Sequence, residues 1–168
     1  MKKNNIDGFL KAKEFSEYYL ILEKLIKISE EREVVFLCVG NSRVWYDCFG
    51  PIFGSVLISL GINKYIYGNT KFNITANNVS YFVELIYKFH NNPYIIVVDS
   101  ILDGNFCGGL KIREKSIICA GLSNSPLEIG DMSITYSIDI NNKQKYYLLD
   151  DILQKIKKMS RILLNILT

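Results

Sequence analysis

Two short apolar runs, Val34–Val39 (VVFLCV) and Tyr94–Val98 (YIIVV), constrain this chain most, because neither alternates apolar with polar residues. A run of that kind is a strand covered on both faces, as in a parallel sheet sandwiched between helices. The first leads into a glycine loop, GNSRVWYDCFGPIFG, that presents Asp47; the second ends at Asp99. Both acids are therefore expected at the carboxyl side of a strand, the edge where open α/β sheets bind ligands and do chemistry.

The segments between these runs supply the rest of such a sheet. Phe15, Tyr18, Tyr19, Leu22, Leu25 and Ile26 fall at helical spacing ahead of the first strand, with Glu14, Glu17 and Glu23 between them. After the Asp47 loop, Pro51 suits a first helical turn, and Gly61 is a stop for the helix that reaches Leu60. Lys64–Tyr67 reads as a short strand, Val79, Phe82, Val83 and Ile86 mark another helix, and Asn91-Asn92-Pro93 ends it just before the second apolar run. The order α-β-α-β-α-β favours parallel pairing through helical crossovers. Beyond Ser100 the pattern changes. A Gly-rich loop, DGNFCGG, precedes strand-like segments at Leu110–Ile112, Ser116–Ala120 and Ser133–Ile138 with no helix between them, so some antiparallel pairing is expected. The chain closes on a long helix carrying Leu149, Ile152, Ile156, Met159, Leu163 and Ile166, with Lys155, Lys157, Lys158 and Arg161 largely on the other side, a solvated basic face.

At 168 residues the chain is read as one α/β/α domain over 1–168, with a first helix over about 9–31, a core over about 34–140 and a last helix over about 145–166. A net charge of +3, spread along the sequence, gives no case for nucleic acid. No run approaches the ~20 apolar residues that span a bilayer, and the opening MKKNNIDGFLKAKEF lacks the apolar core of a signal peptide. Four cysteines (38, 48, 107 and 119) form no CxxC pair, so reduced and mostly buried thiols in a cytoplasmic protein are expected.

Most standard chemistries are excluded by the residues present. There is no GxxxxGK[ST], no GxGxxG and no GxSxG. The single histidine, His90, ends a helix and is read as structural. Cys48 adjoins Asp47, whose charge hinders thiolate formation. Acids remain. Two carboxylates held close together share a proton, and such a pair can activate water while donating to a carbonyl oxygen; alternatively it can hold a divalent metal. Arg43, in the same loop, is able to lower an acid's pKa or orient a substrate carboxylate. Asp131 reads either as a third functional acid or as the turn residue its neighbour Gly130 suggests.

These motifs resemble the YyaC family of spore proteases, a sporulation group related to the germination protease and to the hydrogenase maturation endopeptidases. The match is carried by VGNSRVWYDCFGPIFG at 39–54, PYIIVVDS at 93–100 and IGDMSIT at 129–135, with IYGNT at 66–70 as a weaker fourth block. The resemblance implies a three-layer α/β/α sandwich of the phosphorylase/hydrolase type with a mostly parallel mixed sheet. It also implies that Asp47 and Asp99 occupy the positions of the active-site acids. Arg43 and Asp131 are carried as supporting residues, with Gly40, Gly50 and Pro51 shaping the loop. The family's first loop usually reads like GTDRSTGD where this chain has GNSRVWYD, so Ser42 replaces an acid and Tyr46 a glycine. The histidine that completes a nickel triad in the maturation endopeptidases has no counterpart after His90, so no metal and no cofactor are expected. The implied function is that of a cytoplasmic, sporulation-associated peptidase acting on a protein or peptide from the mother cell or forespore. The alternative is a catalytically silent sporulation module that binds a partner through the same cleft. Neither nucleic acid nor membrane is an expected partner, and homo-oligomerisation is left open.

Overall fold

The computed structural model describes residues 18–102, 109–119, 127–139 and 145–168. The expected start of the first helix and Cys107 lie outside the described residues. In chain order the elements are α1 (Tyr19–Glu31), β1 (Val34–Cys38), α2 (Phe49–Ser59), β2 (Tyr65–Tyr67), α3 (Val79–Phe89), β3 (Tyr94–Leu102), β4 (Gly109–Arg113), β5 (Ile117–Cys119), β6 (Leu127–Ile129), β7 (Met132–Ile138) and α4 (Lys145–Leu167).

The main sheet has the order β2-β1-β3-β7-β4. Its first four strands run parallel and β4 pairs antiparallel with β7, giving the mostly parallel mixed sheet expected from the sequence. The strands β5 and β6 pair antiparallel as a separate two-stranded ribbon. From β1 the chain passes through α2 to β2 on one side, then returns through α3 to β3 on the other. The winding direction therefore reverses between β1 and β3, and the crevice at their carboxyl ends is the topological switch point of the sheet.

The strands β1 and β3 each contribute to two cores. Val34, Phe36 and Cys38 of β1 join Ile96, Val98, Met132, Ile134 and Tyr136 under α1, α2 and α4. Val35, Leu37 and Val39 face the other way with Ile95 and Val97, under α3 and the β5–β6 ribbon. That double burial is why the two runs lack polar alternation. On α4 the residues Ile152, Ile156, Met159, Leu163 and Ile166 are buried as the spacing predicts, whereas Leu149, assigned to the same stripe, is 42% exposed. Lys157, Lys158 and Arg161 are exposed.

Close seating of α2 on the sheet requires glycine at three places. A Cβ on Gly50 would run into the carbonyl oxygens of Val39 and Val98, one on Gly54 into that of Gly68, and one on Gly68 into that of Cys38. The helix thus lies directly over the ends of β1 and β3, with Pro51 buried in its first turn, where the missing N–H is no loss. Gly61, at φ +69°, closes the helix; its N–H donates to Ile58 O at 3.0 Å.

Candidate active site

The loop between β1 and α2 is built to turn Asp47 back over the strand ends. Val39 N–H donates to Val98 O at 2.8 Å and Gly40 N–H to Ile74 O at 2.7 Å, which ties the loop's start to both neighbouring segments. Gly40 sits at φ +134°, and a side chain there would strike the Asp47 carbonyl. Asn41 N–H donates to that carbonyl at 2.9 Å, and Asp47 N–H donates to Val44 O at 2.9 Å, so residues 41–47 close as a compact turn. The segment after β2, where the weaker IYGNT block lies, braces it: Ser42 Oγ donates to Thr70 O at 3.1 Å and Ser42 N–H to Asn73 Oδ1 at 3.2 Å. Thr70 N–H in turn donates to Ser55 Oγ on α2 at 3.0 Å.

Asp99 lies on β3, which does not end there as the sequence suggested. The strand continues to Leu102 because β7 keeps pairing with it as far as Ile138. It is β1 that stops, at Cys38 opposite Val98, so Asp99 stands one residue past the end of its neighbour. The two acids thereby flank the switch point.

Their electrostatics differ. Burial raises the Asp47 carboxyl above the usual carboxylate range, while the Asn41 backbone amide draws it partly back. Asp99 is pushed up to about 8, first by burial and then by the negative charge of Asp47, against a single N–H bond from Ser100 at 2.7 Å. The charge of Asp47 thus disfavours ionisation of Asp99. Among the described residues neither acid makes an ion pair.

The other sequence-selected residues are not all brought together. Arg43 is exposed; its backbone N–H donates to Asn41 Oδ1 at 3.0 Å, and among the described residues its guanidinium pairs with neither acid. Asp131 lies at the opposite edge of the sheet, immediately before β7. It accepts from Ile95 N–H at 2.9 Å and pairs with Arg32 at 3.3 Å, so the structure places it as a tie between loop and strand, well away from the acid pair. Cys48 is buried with Sγ 3.2 Å from Trp45 O, and its thiol is raised mainly by burial and further by Asp47. The loop aromatics pack edge to face, Trp45 against Tyr46 at 5.5 Å, and leave Tyr46 exposed beside the acid. His90 is held between Glu33 Oε2, 3.1 Å from Nδ1, and the Tyr67 hydroxyl, 2.9 Å from Nε2, in keeping with a structural role.

Sequence reasoning missed the polar lining on β7. MSITYSI alternates apolar and hydroxyl residues, the usual sign of a strand with one face in water. Here all seven positions are buried, the hydroxyl face included. Thr135 pairs with Asp99 in the parallel register, so their side chains stand side by side. The alternation was the available signal, but nothing local to it says that the polar face is covered. No described set of three or more His, Cys, Asp or Glu side chains is arranged to hold a metal ion. No helix among the described residues is long and apolar enough to cross a membrane.

The fold is thus a mostly parallel mixed α/β sheet covered by helices, with Asp47 and Asp99 at its topological switch point. The chain belongs to the family described as protein of unknown function DUF1256, whose model matches residues 9–166. It is 25% identical over 147 residues to the uncharacterized protein YyaC of Bacillus subtilis (strain 168), a match covering 85% of this chain and 72% of that protein. Its fold is similar to that of the NiFe hydrogenase maturation protease HycI from Thermococcus kodakarensis KOD1, with a TM-score of 0.52, 15% identity, and coverage of 83% of this chain and 97% of that one.

Proposed function

We propose that the protein is a peptidase that hydrolyses a peptide bond with Asp47 as base and Asp99 as acid, in a sporulation setting. The observation that carries this reading is the split between the two acids: Asp99 is held protonated at neutral pH by burial and by the ionised Asp47. Two like groups tuned apart in this way supply a base and an acid at the same pH. Asp47 takes a proton from water as the water oxygen bonds to the carbonyl carbon, and Asp99 gives its proton to the carbonyl oxygen. On collapse the C–N bond breaks, Asp47 passes its proton to the leaving amine, and one hydroxyl of the intermediate returns a proton to Asp99. Both acids end as they began, and no covalent enzyme intermediate forms. Arg43, exposed on the same loop, is available to meet a substrate carboxylate rather than to tune the acids. A protein or peptide substrate follows from this reading, as does a cytoplasmic site in the mother cell or forespore.

The test compares protein termini in sporulating cells carrying the natural chain with those in cells carrying Asp99→Asn. Termini present only with the natural chain identify both activity and substrate. An unchanged terminus map, with a sporulation defect appearing only on full deletion, means that the cleft binds a partner without cleaving it.

A further inference from the structure

Across the sheet, one row of side chains runs from the proposed acid outward. Asp99 on β3 pairs with Thr135 on β7, and Thr135 pairs in turn with Lys111 on β4. Register partners share a face, and neighbouring strands lie about 4.8 Å apart, so the Thr135 side chain is the immediate neighbour of the Asp99 carboxyl. Thr135 is 1% exposed, yet its hydroxyl has no hydrogen-bond partner among the described residues. A buried hydroxyl without a partner is costly and uncommon, and calls for an explanation. The adjoining Ser133 hydroxyl, on the same face and equally buried, is unpartnered as well. Cys119 of the ribbon is near enough for the charge of Asp99 to contribute, after burial, to raising its thiol to about 12. Among the described residues the groups near Asp99 are Asp47 from the loop, Cys119 from the ribbon and Thr135 from β7, with Lys111 one strand further along the row.

We propose that Thr135 is a third residue of the site, whose hydroxyl and the Asp99 carboxyl together hold one ligand oxygen. In the resting protein that oxygen is water. Under the peptidase reading, on which this part rests, it is the oxygen of the scissile carbonyl, and Thr135 donates a hydrogen bond to it as negative charge develops there. Placing an uncommitted donor where charge will appear is worth more in a site screened from water than it would be in solution. The Ser160 hydroxyl in the last helix is also buried and unpartnered; what singles out Thr135 is its register position beside Asp99.

The experiment uses the full chain as wild type, Thr135→Val and Thr135→Ser, with carbon-detected NMR titration of the Asp99 carboxyl, thermal unfolding, and turnover of any substrate found by terminus mapping. The Val variant keeps the shape and removes the hydroxyl. Its Asp99 midpoint should rise by about 0.5–1 pH unit, because the ionised form loses the shared oxygen. Its thermal midpoint should be unchanged or higher, and kcat should fall about 10- to 100-fold with KM within about twofold. Thr135→Ser should restore the midpoint and most of the turnover. An unchanged Asp99 midpoint in Thr135→Val, together with lower stability, overturns the proposal and makes the hydroxyl a packing group. If Asp47→Asn and Asp99→Asn process substrate as the wild type does, the peptidase reading fails, and the titration still decides whether Thr135 and Asp99 share a ligand.

Discussion

The amino and carboxyl ends of the sheet carry similar polar side chains and treat them in opposite ways. At the amino end, Asp131 is neutralised by Arg32 and accepts from Ile95 N–H, while Arg32 Nη2 donates to Pro93 O at 2.5 Å and stacks 5.0 Å over Tyr94. Glu33 there accepts from Asn91 N–H at 2.8 Å and meets His90. At the carboxyl end, Asp47 and Asp99 have no described cation, and the Thr135 hydroxyl is unpartnered. Buried hydroxyls without a partner occur elsewhere too, at Ser133 and Ser160, so the contrast rests on the carboxylates. Those at the amino end are held by Arg32 and His90, and those at the carboxyl end have no described cation, which makes that end the one where binding and chemistry are to be sought.

The largest expected effect breaks the carboxyl end alone. Asp47→Asn and Asp99→Asn should each lower peptide cleavage by about 10³-fold or more, with far-ultraviolet dichroism and cooperative unfolding kept. Wild-type turnover in both variants removes the acid pair from the mechanism. Next is the platform beneath it: Gly50→Ala drives a methyl group into the Val39 and Val98 carbonyls and should cost about 4 kcal/mol or more, read by denaturant unfolding. A smaller loss would show that α2 can lift from the strand ends.

At the amino end the signs should reverse. Asp131→Asn should leave cleavage within about twofold and cost roughly 2–3 kcal/mol, since it strips a charge from Arg32 and weakens the acceptor for Ile95 N–H. Lost activity at full stability would instead return Asp131 to the list of functional acids. The gentlest probe is pH. Asp99 is raised in the folded chain from an ordinary 3.8 to about 8, so between those values the folded state holds a proton that the unfolded state has released. Its contribution is fully present below about pH 4 and is lost as pH rises toward 8, with a slope of up to about 1.4 kcal/mol per pH unit. Asp99→Asn should flatten that slope and Asp131→Asn should not; denaturant midpoints at pH 5 and 8 would tell them apart.

Both acids are legible in the sequence because each follows an unbroken apolar run, and such runs end at the ligand-binding edge. The placement of Pro51 and Gly61 is legible for the same local reason: each acts through its own backbone conformation. Asp131 is not decided by its neighbours, since a Gly-Asp turn is compatible with either role. Its place becomes clear only when Arg32, 99 residues away in sequence, arrives beside it. Thr135 is hidden by the same limitation, because alternation in MSITYSI cannot report that the polar face is buried.

What the sequence by itself determined is the set of strongly local outcomes: two doubly buried strands, the amphipathic stripes of the helices, the glycine turn that offers Asp47, and the α-β-α-β-α-β order that leads to a parallel sheet. Each of these depends on residues within a few positions of one another. Tertiary structure alone decided which carboxylates remain without a cation and which hydroxyls remain without a partner. Those properties depend on dielectric and on neighbours contributed by separate strands, so they come into being only when β1, β3 and β7 are laid side by side.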